Sequence, residues 1–102
     1  MSAWKEAYSG PMSLDSIKSL HVPAERFRIS PATYPPGTTF HGLSRVGRIY
    51  VLSGGCRYVF GTVAFNLPAG SFAEVPEGEY AFQTVGNAEV HLVRVYELPP
   101  QL

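Results

Sequence analysis

The side chains best suited to chemistry in this chain are His41, Tyr58 and Cys56. A histidine in apolar surroundings titrates near neutrality and can give or take a proton, and a tyrosine hydroxyl beside it can serve as the matching acid. A pair of this kind contributes roughly 10²- to 10⁴-fold to a rate. His41 lies in the run Thr38-Thr39-Phe40-His41, and in an extended segment Thr39 and Leu43 share its face. By the same alternation Cys56, Tyr58 and Phe60 lie together. Cys56 has two readings, a small buried apolar residue or a soft ligand combined with His41. His91 is the other candidate ligand and can face either way, while His21 has no claim from spacing. The sequence contains no nucleophile elbow, phosphate-binding glycine loop, paired-cysteine zinc spacing or dinucleotide fingerprint, and no cofactor is expected.

These residues must be positioned by strands. From Arg26 onward the hydropathy alternates with a period near two, in runs at 26–30, 38–41, 47–53, 56–60, 62–67, 71–75, 79–84 and 89–97. The separators are Gly54-Gly55, Gly61, Pro68-Gly70, Pro76-Gly78 and Gly86-Asn87, which is turn chemistry for antiparallel neighbours. Short strands at even spacing predict a closed or nearly closed antiparallel sandwich, since closure removes exposed edges. Ahead of them, Trp4 and Tyr8 sit at helical spacing before Gly10 and Pro11, and Leu14, Ile17 and Leu20 suit either a helical turn or an edge strand. The lone tryptophan needs a surface to cover, its own barrel's or a partner's.

Composition sets the remaining limits. A chain of 102 residues forms one domain, 1–102, and 13% aromatic against 16% charged residues, with ten glycines and nine prolines, favours a β-rich fold. The zero net charge gives no general case for nucleic acid or an anionic membrane as partner. Arg26, Arg28, Arg45, Arg48 and Arg57 precede Glu74, Glu77, Glu79, Glu89 and Glu97, so the two halves are expected to compensate each other side by side or across a dimer. One cysteine excludes an internal disulfide, and Lys5 and Glu6 interrupt any signal-like apolar stretch, so the expected setting is cytoplasmic.

The segment 66–78, NLPAGSFAEVPEG, and the segment 34–55 carry a resemblance to small single-domain cupins, conserved jelly-roll barrels. The second motif of that family is glycine, five residues, proline, one residue, glycine, two residues, histidine, three residues, asparagine. Gly70, Pro76 and Gly78 match it, while Ala81 and Val85 stand at the histidine and asparagine positions. In the first motif Tyr50, Val51, Leu52 and Gly54 match and Gly47 replaces the glutamate, with Thr39 and His41 at the histidine pair. The resemblance covers about residues 26–97. It implies an all-β antiparallel jelly-roll barrel with a short irregular or helical arm at 1–25.

Because three imidazoles and a carboxylate make up the family's usual metal site, one surviving imidazole implies that no such metal is held tightly. The resemblance places His41, Thr39 and Leu43 on the barrel's inner face, opposite Ala81 and Gln83, with Cys56, Tyr58 and Phe60 also inside and Arg45 at the mouth. In the competing reading Phe40, Phe60, Phe65 and Phe82 fill the barrel and leave His41 at its rim. The expected function is non-catalytic binding of a small molecule or a protein partner, by a homodimer. One alternative is a metal-free isomerase, epimerase, cyclase or lyase with His41 as base and Tyr58 as acid. The other is a metalloenzyme such as a dioxygenase with a rearranged site.

Overall fold

The computed structural model describes residues 1–99. Nine strands, β1 (Ser2–Ala3), β2 (Phe27–Tyr34), β3 (Thr39–Ser44), β4 (Gly47–Ser53), β5 (Gly55–Phe60), β6 (Val63–Pro68), β7 (Ser71–Val75), β8 (Gly78–Val85) and β9 (Val90–Glu97), form two facing antiparallel sheets. One sheet has the order β1-β7-β4-β9-β2 and the other β3-β8-β5-β6. This is the antiparallel sandwich expected from the strand spacing, in the jelly-roll arrangement that the cupin resemblance implied. Its turns fall where the sequence placed them: Gly70 follows Pro68 with φ +83°, which a residue bearing a Cβ resists, and β7 begins directly after it.

The two lateral sides of the sandwich differ. On one, β6 of one sheet leads through the Gly70 corner into β7 of the other. On the opposite side β2 and β3 are edge strands of different sheets, with no ladder between them among the described residues. Register puts Ser30 beside Arg94, Ala32 beside Leu92 and Tyr34 beside Val90, so these β2 side chains face inward, as Phe40 does on β3. All four remain only half-buried. This side of the barrel is therefore a seam between two edge strands that do not pair.

Between the sheets lies a core of Ile49, Val51, Tyr58, Leu67, Tyr80, Phe82, Val90 and Leu92 with their neighbours. A second core lies on the outer face of the five-stranded sheet, under the N-terminal arm. There Trp4 packs on Tyr50 and Tyr8, and helix α2 (Leu14–Leu20), following the short turn of helix α1 (Trp4–Ala7), buries Ile17 completely. Ser13 starts α2 by accepting from the Ser16 amide at 3.0 Å while the Ser16 hydroxyl accepts from the Ser13 amide at 2.8 Å, which satisfies orphan donors of the first turn. Trp4 also donates through Nε1 to the Gly10 carbonyl at 3.1 Å. The tryptophan thus covers its own sheet, and the arm gives no argument for a dimer. It also gives β4 and β9 apolar neighbours on both faces, which explains their nearly continuous apolar sequences.

Candidate functional site

The structure separates the residues expected to work together. On β3 and β8, Phe40 pairs with Phe82, and their rings stack inside the barrel with centroids 4.7 Å apart. Gly42 pairs with Tyr80, whose hydroxyl oxygen would lie 2.7 Å from any Cβ at that position. This phase is set by burial of three aromatic rings, and it turns Thr39, His41, Leu43, Ala81 and Gln83 to the outer face. Their expected inward orientation is therefore corrected. Thr39, His41, Ala81 and Gln83 do share a hollow of about 270 Å³, but it lies outside the barrel, with Arg57 and Val59. Leu43 is 76% exposed and Arg45 lies exposed in the turn after β3.

Cys56, Tyr58 and Phe60 do face inward. Burial pushes the Cys56 thiol up to about 12, despite the opposing charge of Arg94, so it stays protonated and unreactive at neutral pH. Tyr58 and His41 are on opposite faces of the same sheet, which leaves no acid and base pair. His91 is on the outer face of the other sheet, 2.8 Å from Glu89 and 3.2 Å from the Thr33 hydroxyl. His41, Cys56 and His91 thus lie on three different surfaces, and no metal site can be assembled from them. Among the described residues no three His, Cys, Asp or Glu side chains gather. Gly47 has its own reason: a Cβ there would overlap the Val95 carbonyl oxygen, so the close strand contact excludes the glutamate of the motif.

What occupies the barrel is Arg94, which sequence reasoning passed over. It is 9% exposed, on the inward parity of β9 with Val90 and Leu92. Its Nε donates to the Tyr58 hydroxyl at 3.0 Å and its Nη1 to the Tyr34 hydroxyl at 2.8 Å, while its buried Nη2 has no acceptor at hydrogen-bond distance among the described residues, although the Tyr80 hydroxyl lies near enough for Arg94 to oppose the upward push of burial on its pKa. The rings of Tyr34, Phe40, Tyr58 and Phe82 lie 5.4 to 5.9 Å from the guanidinium carbon. Such contacts favour a cation by about 0.5 to 2 kcal/mol, yet they supply no counter-charge. No carboxylate of the described residues pairs with Arg94; Glu74 pairs with Arg48, and Glu89 lies beside His91. Burial raises Tyr58 far above the ordinary phenol value, with Arg94 opposing, so its partner hydroxyl remains neutral. A guanidinium without counter-ion in the interior costs several kcal/mol. The available signal was an arginine in phase with Val90 and Leu92.

A larger hollow of about 650 Å³ lies outside, between the arm and the five-stranded sheet. Its polar groups satisfy one another: the Tyr50 hydroxyl is 2.8 Å from His21 Nε2, and Arg48 donates to Tyr8 at 2.8 Å, to Tyr50 at 3.3 Å and to Glu74 at 3.2 Å. Burial first and Arg48 second lower the His21 pKa, with Glu97 opposing. Burial raises Tyr50. This network fastens the arm, and its cation Arg48, unlike Arg94, has a carboxylate partner. Its Arg48–Glu74 pair is, among the described residues, the one ion pair between the arginine-rich and glutamate-rich halves.

No family model and no curated protein matches the chain. Solved structures do resemble it. The cupin domain of an XRE family transcriptional regulator from Enterobacter cloacae superposes with a TM-score of 0.66 at 14% identity, over 74% of this chain and 84% of that one. The cupin domain of Cnp3 from Schizosaccharomyces pombe gives 0.63 at 15% identity, over 78% of this chain and 57% of that one. A predicted oxalate decarboxylase from Thermotoga maritima gives 0.58 at 19% identity, over 85% and 76%. With its two facing sheets, its jelly-roll strand order and these counterparts, the chain has the cupin fold.

Proposed function

We infer that this protein is a small-molecule-binding cupin barrel that acts by binding and not by turnover. The observation that carries this reading is Arg94, a buried guanidinium with an unpaired Nη2 behind the seam between the unpaired edges of β2 and β3. A fold keeps so costly a group where it recognises something. Binding without chemistry is supported by the groups around it: hydroxyls of Tyr34, Tyr58 and Tyr80, the last two pushed up by burial, the rings of Phe40 and Phe82, and a thiol held protonated. None of these is a base at neutral pH. A binding role also suits a fold that the Enterobacter cloacae transcriptional regulator carries as one of its domains.

The test is a thermal-shift screen of anionic, neutral and cationic small molecules against wild type and Arg94→Met, with each hit followed by chemical analysis of the mixture. Hits that stabilise the wild type, lose their effect in Arg94→Met and are recovered unchanged support the reading. Hits that stabilise both proteins equally, or that are converted, contradict it.

A further inference from the structure

We propose that the ligand of the barrel is a small organic carboxylate with a flat apolar body, gripped by the outer edge of the Arg94 guanidinium; this rests on the reading of the barrel as the binding site. The donor inventory carries it. A guanidinium has five N–H groups, of which Tyr58 takes the one on Nε and Tyr34 takes one on Nη1. One hydrogen remains on Nη1 and two on Nη2, which has no partner at hydrogen-bond distance, the neutral Tyr80 hydroxyl being a further oxygen nearby that a carboxylate would have to outcompete. Adjacent hydrogens on these two nitrogens form the planar fork that matches the two oxygens of a carboxylate. Since Nε is engaged, the terminal edge is the bidentate edge left free.

Charge points the same way. No carboxylate of the described residues pairs with Arg94, so a cationic ligand meets repulsion and a neutral one leaves the charge uncompensated. An anion supplies what the chain withholds. The shape of the body follows from the rings. Tyr34 and Phe40, with centroids 5.3 Å apart, are the half-buried aromatic pair at the seam, and Phe82 stacks behind Phe40. A flat apolar group entering between the edges of β2 and β3 meets ring faces on its way to the guanidinium, which suits planar contact. A tetrahedral inorganic anion would use the fork but gain nothing from these walls.

Calorimetric titration of the full chain with benzoate, benzamide, acetate and inorganic phosphate tests this without any substitution. Benzoate and benzamide share a shape and differ in charge, so benzoate should bind at least about tenfold more tightly, the worth of a charge-assisted bidentate contact. Acetate and phosphate should both bind more weakly than benzoate. Arg94→Lys, which keeps the charge and loses the fork, should weaken benzoate by about tenfold or more while the protein stays folded. Equal binding of benzamide overturns the proposal but leaves a barrel that binds small molecules. Phosphate binding as tightly as benzoate overturns the carboxylate assignment. Absence of binding by all four probes overturns the proposal; if a broad screen also finds no ligand dependent on Arg94, the functional reading falls with it.

Discussion

Arg94 Nε donates to the Tyr58 hydroxyl at 3.0 Å, joining β9 of one sheet to β5 of the other across the thickness of the sandwich. The pair couples an uncompensated cation to a phenol that burial keeps neutral. Its two members should therefore respond unequally to removal. Tyr58→Phe leaves Nε as a further buried donor without acceptor and should lower stability in urea by about 1 to 3 kcal/mol. Arg94→Met removes the buried charge but leaves the Tyr58 and Tyr34 hydroxyls without their donor, so the two effects offset and the urea midpoint should fall less than in Tyr58→Phe, or rise. An Arg94→Met protein less stable than Tyr58→Phe would contradict the picture of a group retained for binding at the expense of stability.

His21 should make stability depend on pH. The Tyr50 oxygen accepts from Arg48, which can only donate, and shares a hydrogen bond of 2.8 Å with His21 Nε2, so His21 is held between a buried phenol and a cation. Burial and then Arg48 lower its pKa below the ordinary 6.5. The unfolded chain thus takes up this proton more readily than the folded one. Stability from this site is complete above about 6.5, falls as pH drops from there toward the depressed folded value, and falls no further below it. Urea midpoints followed across this range should slope for the wild type and flatten for His21→Gln. Equal slopes would place the titrating group elsewhere.

The arm is held mainly by apolar burial. Ile17 is completely buried against the outer face of the five-stranded sheet, and Ile17→Ala should cost about 2 to 5 kcal/mol. Trp4 is the single tryptophan and belongs to the same cluster, so its fluorescence should shift to the red before global unfolding. Coincident loss of Trp4 emission and far-ultraviolet circular dichroism in that variant would instead show the arm and barrel to be one cooperative unit.

His41 faces outward on β3, opposite Ala81. His41→Ala should change stability by no more than about 0.5 kcal/mol and leave ligand affinity unchanged. A large loss of affinity in calorimetry would move the site to the outer hollow formed with Arg57 and Gln83.

Much of the fold was legible in the residues. Glycine and proline at Pro68, Gly70, Pro76 and Gly78 mark corners that backbone geometry demands, and the alternation of Cys56, Tyr58 and Phe60 gave the inner face of β5 directly. The phase of β3 and β8 was lost because His41 and Ala81 were aligned with the histidines of a motif, although Phe40, Gly42 and Phe82 mark the core face. Arg94 was hidden for a different reason. The arm covers the outside of β9, so Val93 and Val95 are as buried as Leu92, and the alternation that would separate the inner face disappears. The covering itself comes from Trp4 and Ile17, contacts between distant parts of the chain that no local pattern announces.

The most direct measurement is a titration followed by NMR of the arginine side-chain N–H groups, with benzoate added to uniformly labelled protein. The Arg94 Nε–H and Nη–H signals and the amides of Tyr34 and Phe40 should move together with one affinity, while those of His41 and Arg57 on the outer face stay in place. Shifts confined to His41, Arg57 and Gln83, with Arg94 unmoved, would contradict a ligand site inside the barrel.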